Sequence, residues 1–513
     1  MLARLKSFEP ELFTCAIVAA VITALVFVAQ SRVGLAPQEE GYLWYGVDAV
    51  ARGEWPIRDF RSYDPGRYLW CAAWSPVFGG GILGLRAACA LFAWAGLLAG
   101  LLVARRVLPS RAWLVPAGAV IALWQFPGWR PFESSSSLIA TYCAMRLVES
   151  PSARRSLACG VFVGVTAFFG RNHGLYAAVA FVLVHAVAVH AGRRERIFAR
   201  LLALTGGTVL GYLPMLALVA FLPGFGRAFV DSVLFFLGRD GLNIPHPATW
   251  PWTLDYGRLH GIELAATVAL SLVFVAYVAV YSLGGIVAAF GRIGSVARSP
   301  ALVAAVCVGL PYVHHVAERS DVHHVAESVH PLLLCVLALA GAVGPRLVRG
   351  AAAALLAVSL LAIGTEQPLG RRLLARDTER AHVEFDARGT TLSIDGLVAR
   401  RLEAVRARIA RDVPPDAKLL LSTKLLTLYP LLERASPVWD VYPSWPADAE
   451  LEQRMLDELS SVDWVFLQDV PVGGAEERRL ANTYPGVWRR MQQDFDRIPT
   501  PELPDNFVFL HRR

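Results

Sequence analysis

Charged residues are scarce in this chain of 513 residues, which is 18% charged and 55% hydrophobic and has a mean hydropathy of +0.45. An average this apolar lies outside the range of ordinary soluble proteins of similar length. The composition therefore argues against a soluble enzyme or binding module and predicts an integral membrane protein.

Paired cysteine motifs and nucleotide-binding motifs are also missing. The seven cysteines lie in or beside apolar runs, and none has the paired spacing of a zinc or redox motif, so we expect no disulfide framework. The C-terminal tail has no glycine-rich phosphate loop or nucleotide fingerprint. The net charge of +7 comes from arginines that lie between apolar runs, which the positive-inside rule explains, so nucleic acid is not implied.

About eleven apolar runs are long enough to cross a bilayer as helices. The first, residues 12–29, carries no charge and follows Arg4 and Lys6. We interpret it as a retained first helix with a cytoplasmic N-terminus rather than a cleaved signal peptide, because many further runs follow. The other runs cover residues 86–104, 112–126, 134–148, 156–170, 174–191, 201–221, 262–290, 301–316, 328–343 and 350–364.

The arginines predict which loops face the cytoplasm. If the runs alternate, every inside loop contains a cluster, and the members are Arg105, Arg106, Arg111, Arg154, Arg155, Arg193, Arg194, Arg196, Arg200, Arg292, Arg298, Arg346 and Arg349. The segment YLWCAAWSPVF, residues 68–78, is too short to span and is expected at the outer interface. The outer regions are then residues 31–85, residues 222–261, a short loop near residue 320, and the tail.

The tail predicts a small α/β domain. Val398, Leu402, Val405 and Ile409 recur at the spacing of one helix face, and short apolar runs at 418–421, 464–467 and 507–510 predict buried strands. We therefore expect a transmembrane domain over residues 1–373, with its first outer loop at 31–85, and an extracytoplasmic α/β domain over residues 374–513.

The first outer loop is dense in acidic, basic and aromatic residues. Glu39 and Glu40 directly follow the first span, and Asp59, Asp64 and Arg67 come later in the same loop. Carboxylates at a membrane edge can deprotonate a hydroxyl, and guanidinium groups can hold a phosphate. Acidic residues after a span are also common as a solvated flank, so the chemistry alone leaves both interpretations open.

This loop resembles the first extracytoplasmic loop of GT-C superfamily glycosyltransferases, in particular the bacterial relatives of family 39, which include protein O-mannosyltransferases and lipid A aminoarabinose transferases. Glu39-Glu40-Gly41-Tyr42 is similar to the family pattern D-E-G-Y, with Glu in place of the usual Asp. The segments at 57–60 (IRDF) and 63–68 (YDPGRY) are similar to Y-R-D-F and Y-G-P-G-Q-Y. The segment at 169–176 is similar to F-R-Q-D-x-G-x-Y, which matches Arg171 to an arginine expected at donor phosphate.

The resemblance implies an inverting sugar transfer from a polyprenyl-phosphate donor to a hydroxyl of a glycan, lipid or protein, at the outer face of a bacterial inner membrane. Glu39 is the expected general base, with Glu40 supporting it or orienting the acceptor. No cofactor is required, and a divalent cation is neither indicated nor excluded. The residues expected to contact substrates are Asp59, Tyr63, Asp64, Arg67, Arg171, Arg319, Asp321 and His324.

Residues 314–328, HHVAERSDVHHVAES, repeat the string HHVAE nine positions apart. A continuous helix would place the copies on opposite faces, so one metal could be shared only if the chain turns at 319–321. Three interpretations stay open, namely a zinc site, polar surface residues, and a substrate-binding segment. The last is favoured because R-S-D-x-x-H resembles a segment of some GT-C proteins.

Other functions also remain open. A polytopic transporter or a flippase for lipid-linked saccharides would need many helices as well, but such proteins commonly show inverted repeats, and no clear repeat between the two halves is present. A polysaccharide polymerase or ligase would share the compartment and the lipid-linked substrate.

Overall fold

The computed structural model describes residues 2–238, 249–289, 299–375 and 377–513. Arg292 and Arg298, which were used to predict topology, and part of the predicted outer region 222–261 lie outside these residues. Compact packing divides the chain into two units. The first, the helical unit, contains residues 1–31, 86–223 and 235–371, and the second, the mixed unit, contains residues 32–85, 224–234 and 372–513.

Most of the described chain is helical. The helices are α1 Leu2–Gln30, α2 Glu39–Ala51, α3 Gly66–Phe78, α4 Ile82–Ala104, α5 Leu114–Trp124, α6 Pro131–Glu149, α7 Ala153–Phe169, α8 Arg171–His190, α9 Ile197–Gly211, α10 Leu213–Phe221, α11 Phe225–Leu237, α12 Gly261–Ala289, α13 Pro300–Glu318, α14 Val322–Ser328, α15 His330–Val343, α16 Pro345–Ala362, α17 Pro368–Leu374, α18 Gly396–Asp412, α19 Leu428–Leu431, α20 Ala449–Leu459, α21 Leu480–Thr483 and α22 Pro485–Asp494.

Each of the eleven predicted spans coincides with a helix or with a bent pair of helices. Six described helices are long and apolar enough to cross a membrane, and the number rises to eight if each of two bent pairs is one span. The bends are 51° between α9 and α10 and 53° between α14 and α15. Pro214 and Pro331 stand at the second position of α10 and α15 respectively, where the missing N–H of proline interrupts the helical hydrogen bonds. The other three predicted spans, α5, α6 and α7, are helices that are shorter or more polar.

Small residues bring α7 and α9 into close contact. Gly160 and Gly164 on α7 face Gly207 and Gly211 on α9. A Cβ on Gly160 would lie 2.0 Å from the carbonyl oxygen of Leu204, and a Cβ on Gly207 would lie 2.2 Å from that of Leu157. Inside a bilayer the hydrophobic effect does not drive helices together, and close backbone contact of this kind supplies van der Waals packing energy instead.

The mixed unit contains the two sheets of the described chain. Strands β1 His382–Asp386 and β2 Thr391–Asp395 form an antiparallel hairpin. Strands β3 Leu419–Ser422, β4 Trp464–Gln468, β5 Phe495–Ile498 and β6 Phe507–Arg512 form a second sheet in the order β3-β4-β6-β5. The predicted buried strands are β3, β4 and β6, and the predicted amphipathic helix is α18, which confirms the small α/β region. Packing also assigns residues 32–85 to this unit.

Candidate functional site

The acidic pair at the start of α2 separates into two different environments. Glu39 is exposed, whereas Glu40 is buried and its Oε2 accepts a hydrogen bond of 3.3 Å from the N–H of Ala36. Both carboxylates occupy the first turn of the helix, where the partial positive charge of the helix N-terminus favours them. Of the two carboxylates, only that of Glu39 is accessible to solvent or to a substrate.

Gly41 allows the start of α2 to pack against the tail. A Cβ on Gly41 would lie 2.5 Å from the main-chain nitrogen of Thr427, whose N–H donates to the carbonyl of Pro37 at 3.0 Å. Lys424 lies in the same tail segment. Burial lowers the pKa of Lys424, and the nearby charge of Glu39 opposes this effect. Sequence reasoning missed Lys424, although it is one of only three lysines in the chain.

The remaining predicted residues of the first loop are held by local contacts. Tyr63 is exposed, packs edge-on against Tyr42 with ring centroids 5.6 Å apart, and lies under the guanidinium of Arg67 at 4.7 Å. Asp64 is buried just before α3, and Arg67 is buried within the first turn of that helix. Tyr63 and Arg67 are therefore brought together as a cation–π pair.

Asp59 forms an ion pair with the adjacent Arg58. Its two oxygens each lie 2.7 Å from the Arg58 guanidinium, and one also accepts from the N–H of Trp55 at 2.7 Å. Burial would raise the pKa of Asp59, but the hydrogen bonds from Arg58 and Trp55 lower it overall. These contacts hold the Asp59 carboxylate against its own loop, while the residue stays exposed.

The repeated HHVAE segment turns where the sequence predicted. Helix α13 ends at Glu318, and α14 begins at Val322 with Asp321 as its N-cap, which accepts from the N–H groups of His323 and His324. Arg319 Nε donates to Asp321 Oδ2 at 3.2 Å, and His324 Nδ1 lies 2.8 Å from the same oxygen. Arg319, Asp321 and His324 are thus brought together. Burial would raise the pKa of Asp321, but the bond with His324 and the neighbouring positive charges lower it.

A buried polar centre lies beside this turn. Glu327 is 0% exposed, and its oxygens lie 3.0 Å from His315 Nε2 and 3.1 Å from the Arg130 guanidinium. Arg130 also lies 3.5 Å from Glu133. The ligand atoms of His315, His324 and Glu327 all lie within 4.8 Å of one another, so these residues could hold a metal ion. Of these residues only His324 was among the predicted site residues, and Arg130, Glu133, His315 and Glu327 were not. The i, i+3 spacing of His324 and Glu327 was the available signal.

Arg171 is the first residue of α8, directly after its N-cap Gly170, and is partly buried. A cation at a helix N-terminus faces the unfavourable end of the helix dipole, so helix stability does not explain its presence. His173 and Tyr176 on the following turn pack against the His315 ring at centroid distances of 5.8 and 6.3 Å. The segment that contains Arg171 therefore contacts the buried centre through its next turn.

The predicted site residues fall into two units. Glu39, Glu40, Asp59, Tyr63, Asp64 and Arg67 belong to the mixed unit, and Arg171, Arg319, Asp321 and His324 belong to the helical unit. In each unit a set of charged side chains is held in place by neighbours that the sequence did not reveal.

No protein-family model matches the chain, and no curated protein matches it. Solved structures do. The chain is similar to the crystal structure of ArnT from Cupriavidus metallidurans bound to undecaprenyl phosphate, with a TM-score of 0.53 and 14% identity over 96% of this chain and 97% of that one. The apo structure of the same protein gives a TM-score of 0.52 at the same identity and coverage.

This similarity over nearly the whole length shows the fold. ArnT is an aminoarabinose transferase and a GT-C glycosyltransferase. The expected architecture, a polytopic helical membrane protein with a small C-terminal α/β region, is confirmed, and its fold is that of ArnT.

Proposed function

We propose that this protein is a membrane glycosyltransferase that moves a sugar from a polyprenyl-phosphate donor to a hydroxyl acceptor. The observation that carries the proposal is the GT-C fold over 96% of the chain, shared with a transferase whose structure was solved with undecaprenyl phosphate bound. The charged side chains add support, because both a reachable carboxylate and several arginines lie in segments that resemble GT-C motifs.

Glu39 is assigned as the general base. Its carboxylate is exposed, while that of Glu40 is buried and hydrogen-bonded to the main chain. The acceptor oxygen attacks the anomeric carbon as its proton passes to Glu39, and the bond from that carbon to the phosphate oxygen breaks. The polyprenyl phosphate leaves with the electron pair, and the anomeric configuration inverts.

Arginine side chains are assigned to the phosphate. Among the three candidates Arg171 is preferred, because its charge at the N-terminus of α8 is not explained by helix stability and its segment is similar to F-R-Q-D-x-G-x-Y. A guanidinium can hold the two phosphate oxygens with parallel hydrogen bonds and stabilise charge as the phosphate leaves.

The chain is further assigned to a bacterial plasma membrane, with its N-terminus in the cytoplasm and residues 31–85 and the tail outside. A cysteine introduced at exposed Tyr63 should then react with a membrane-impermeant maleimide in intact spheroplasts. A cysteine at Arg193 should react only after permeabilisation. The opposite labelling pattern would reverse the assigned orientation. The native cysteines provide a low background, since six of the seven are buried.

A flippase for lipid-linked saccharides is the second candidate, and the two bent helix pairs favour it, because broken helices are common in transporters. The two functions separate in detergent. Transfer of radiolabelled sugar by the purified chain needs no sealed membrane, whereas translocation does. Label that moves only across sealed proteoliposomes, with no new glycosidic product, would support the flippase instead.

A further inference from the structure

The two HHVAE copies each contain an inner and an outer histidine. The second histidine of each pair, His315 or His324, is buried, whereas His314 is exposed and pairs with Glu318 at 3.0 Å, and His323 packs its ring against Phe126. The copies therefore differ from a simple surface repeat. They direct one imidazole each into the same buried centre.

The carboxylate of that centre comes from the second copy alone. Glu327 is fully buried, and its Oε2 lies 3.0 Å from His315 Nε2. One donor atom each from His315, His324 and Glu327 lies within 4.8 Å of the others. Ligand atoms about 2.0–2.2 Å from a tetrahedral zinc ion are separated by about 3.3–3.6 Å, so small side-chain movements suffice.

The surroundings orient these groups as a metal site requires. Both oxygens of Asp321 lie within 3.0 Å of His324 Nδ1, which leaves Nε2 of that ring as its donor to a metal. Histidine ligands are commonly oriented by such a carboxylate. In addition, His315 Nδ1 is buried and has no hydrogen-bond partner in the described part of the chain, and His315 is only 4% exposed.

The local charge is compatible with a cation. Arg130 lies next to Glu327, but Glu133 and Asp321 are also present, and Arg319 is the second guanidinium of the group. With neutral imidazoles, three carboxylates and two guanidinium groups leave one negative charge. The positive charge of Arg130 therefore does not by itself neutralise the carboxylates of the centre.

We propose that His315, His324 and Glu327 bind a divalent transition metal ion, with zinc preferred for its two nitrogen ligands and one oxygen ligand. Three protein ligands leave a fourth position for water or an anionic oxygen, as in zinc sites that are not purely structural. This site does not depend on the glycosyltransferase proposal.

The test is the metal content of the full chain purified in detergent without chelators. Mass spectrometry of the metal should find about one zinc per chain in wild type and in His314→Ala, the matched control from the exposed half of the same pair. Glu327→Gln and His324→Ala should retain less than about a tenth of that amount, because each removes one of three ligands.

Equal zinc content in wild type and both ligand variants would overturn the proposal, as would wild type that neither contains zinc nor takes it up from added Zn²⁺ alone. If either variant elutes as an aggregate, the wild-type chain loaded with Co²⁺ decides. Intense visible d–d bands, which indicate four-coordinate cobalt, are expected, and weak six-coordinate bands would overturn the site.

Discussion

A methyl group on Gly41 would lie 2.5 Å from the main-chain nitrogen of Thr427, so the start of α2 packs backbone against the tail segment that contains Lys424. The glycine in the Glu-Glu-Gly motif is therefore required by packing. It sets the position of the helix turn that presents Glu39.

Gly41→Ala should destabilise the mixed unit, because the added methyl meets backbone that cannot rotate away. The expected cost is about 1–3 kcal/mol, as for other overpacked positions. Thermal unfolding followed by size-exclusion chromatography measures it. Gly80→Ala is the control, since a Cβ there meets nothing within 4 Å. Equal melting temperatures for the two variants would contradict the packing argument.

The contact between α7 and α9 makes a second prediction. Gly207→Ala should lower the melting temperature, with a cost again of about 1–3 kcal/mol, because the new Cβ would lie 2.2 Å from the Leu157 carbonyl oxygen. The adjacent Gly206→Ala should be tolerated, because a Cβ there has open space. Loss of stability in both variants alike would point to helix backbone effects rather than to helix contact.

Breaking the buried ion pair between Arg130 and Glu327 should be costly. Arg130→Met leaves the fully buried Glu327 without its guanidinium, and removing one partner of a buried pair typically costs about 3–5 kcal/mol. The double variant Arg130→Met with Glu327→Gln should recover part of that loss, because the uncompensated charge is gone. If the double variant is no more stable than the single one, the two residues are not coupled.

Substitution of Lys424 should separate an effect on sugar transfer from an effect on stability. Burial lowers the pKa of Lys424, so folding disfavours its charge, and Lys424→Met should leave the melting temperature unchanged or raise it. We expect sugar transfer to fall, because the cation near Glu39 is lost. Lys418→Met, in the same tail, is the control. Unchanged transfer in Lys424→Met would assign Lys424 a structural role only.

Sequence periodicity was sufficient to predict a secondary-structure element wherever burial follows a regular repeat. The face formed by Val398, Leu402, Val405 and Ile409 identified α18, and the turn at 319–321 followed from the length of the surrounding helices. Strands β1, β2 and β5 were missed because each is only four or five residues long and mixes charged or polar residues with few buried ones, so none forms a continuous apolar run.

The side chains of the site were harder to predict because their partners are distant in sequence. Arg130 and Glu327 are almost 200 residues apart, and each reads locally as a polar residue near the end of a span. Thr427 and Lys424 likewise gave no local sign that they pack at the start of α2. Such pairs depend on tertiary contact, which no window of sequence contains.

The central claim is that Glu39 acts as the base in sugar transfer. The direct measurement is the rate of transfer from a radiolabelled polyprenyl-phosphate sugar to an envelope extract, by purified wild type, Glu39→Gln and Glu40→Gln. Glu39→Gln should lose about 100-fold or more in rate with an unchanged melting temperature, since general-base catalysis contributes about 10²–10⁴-fold. Glu40→Gln should chiefly lose stability, because Glu40 is buried and bonded to Ala36. Near-normal transfer by Glu39→Gln would contradict the account.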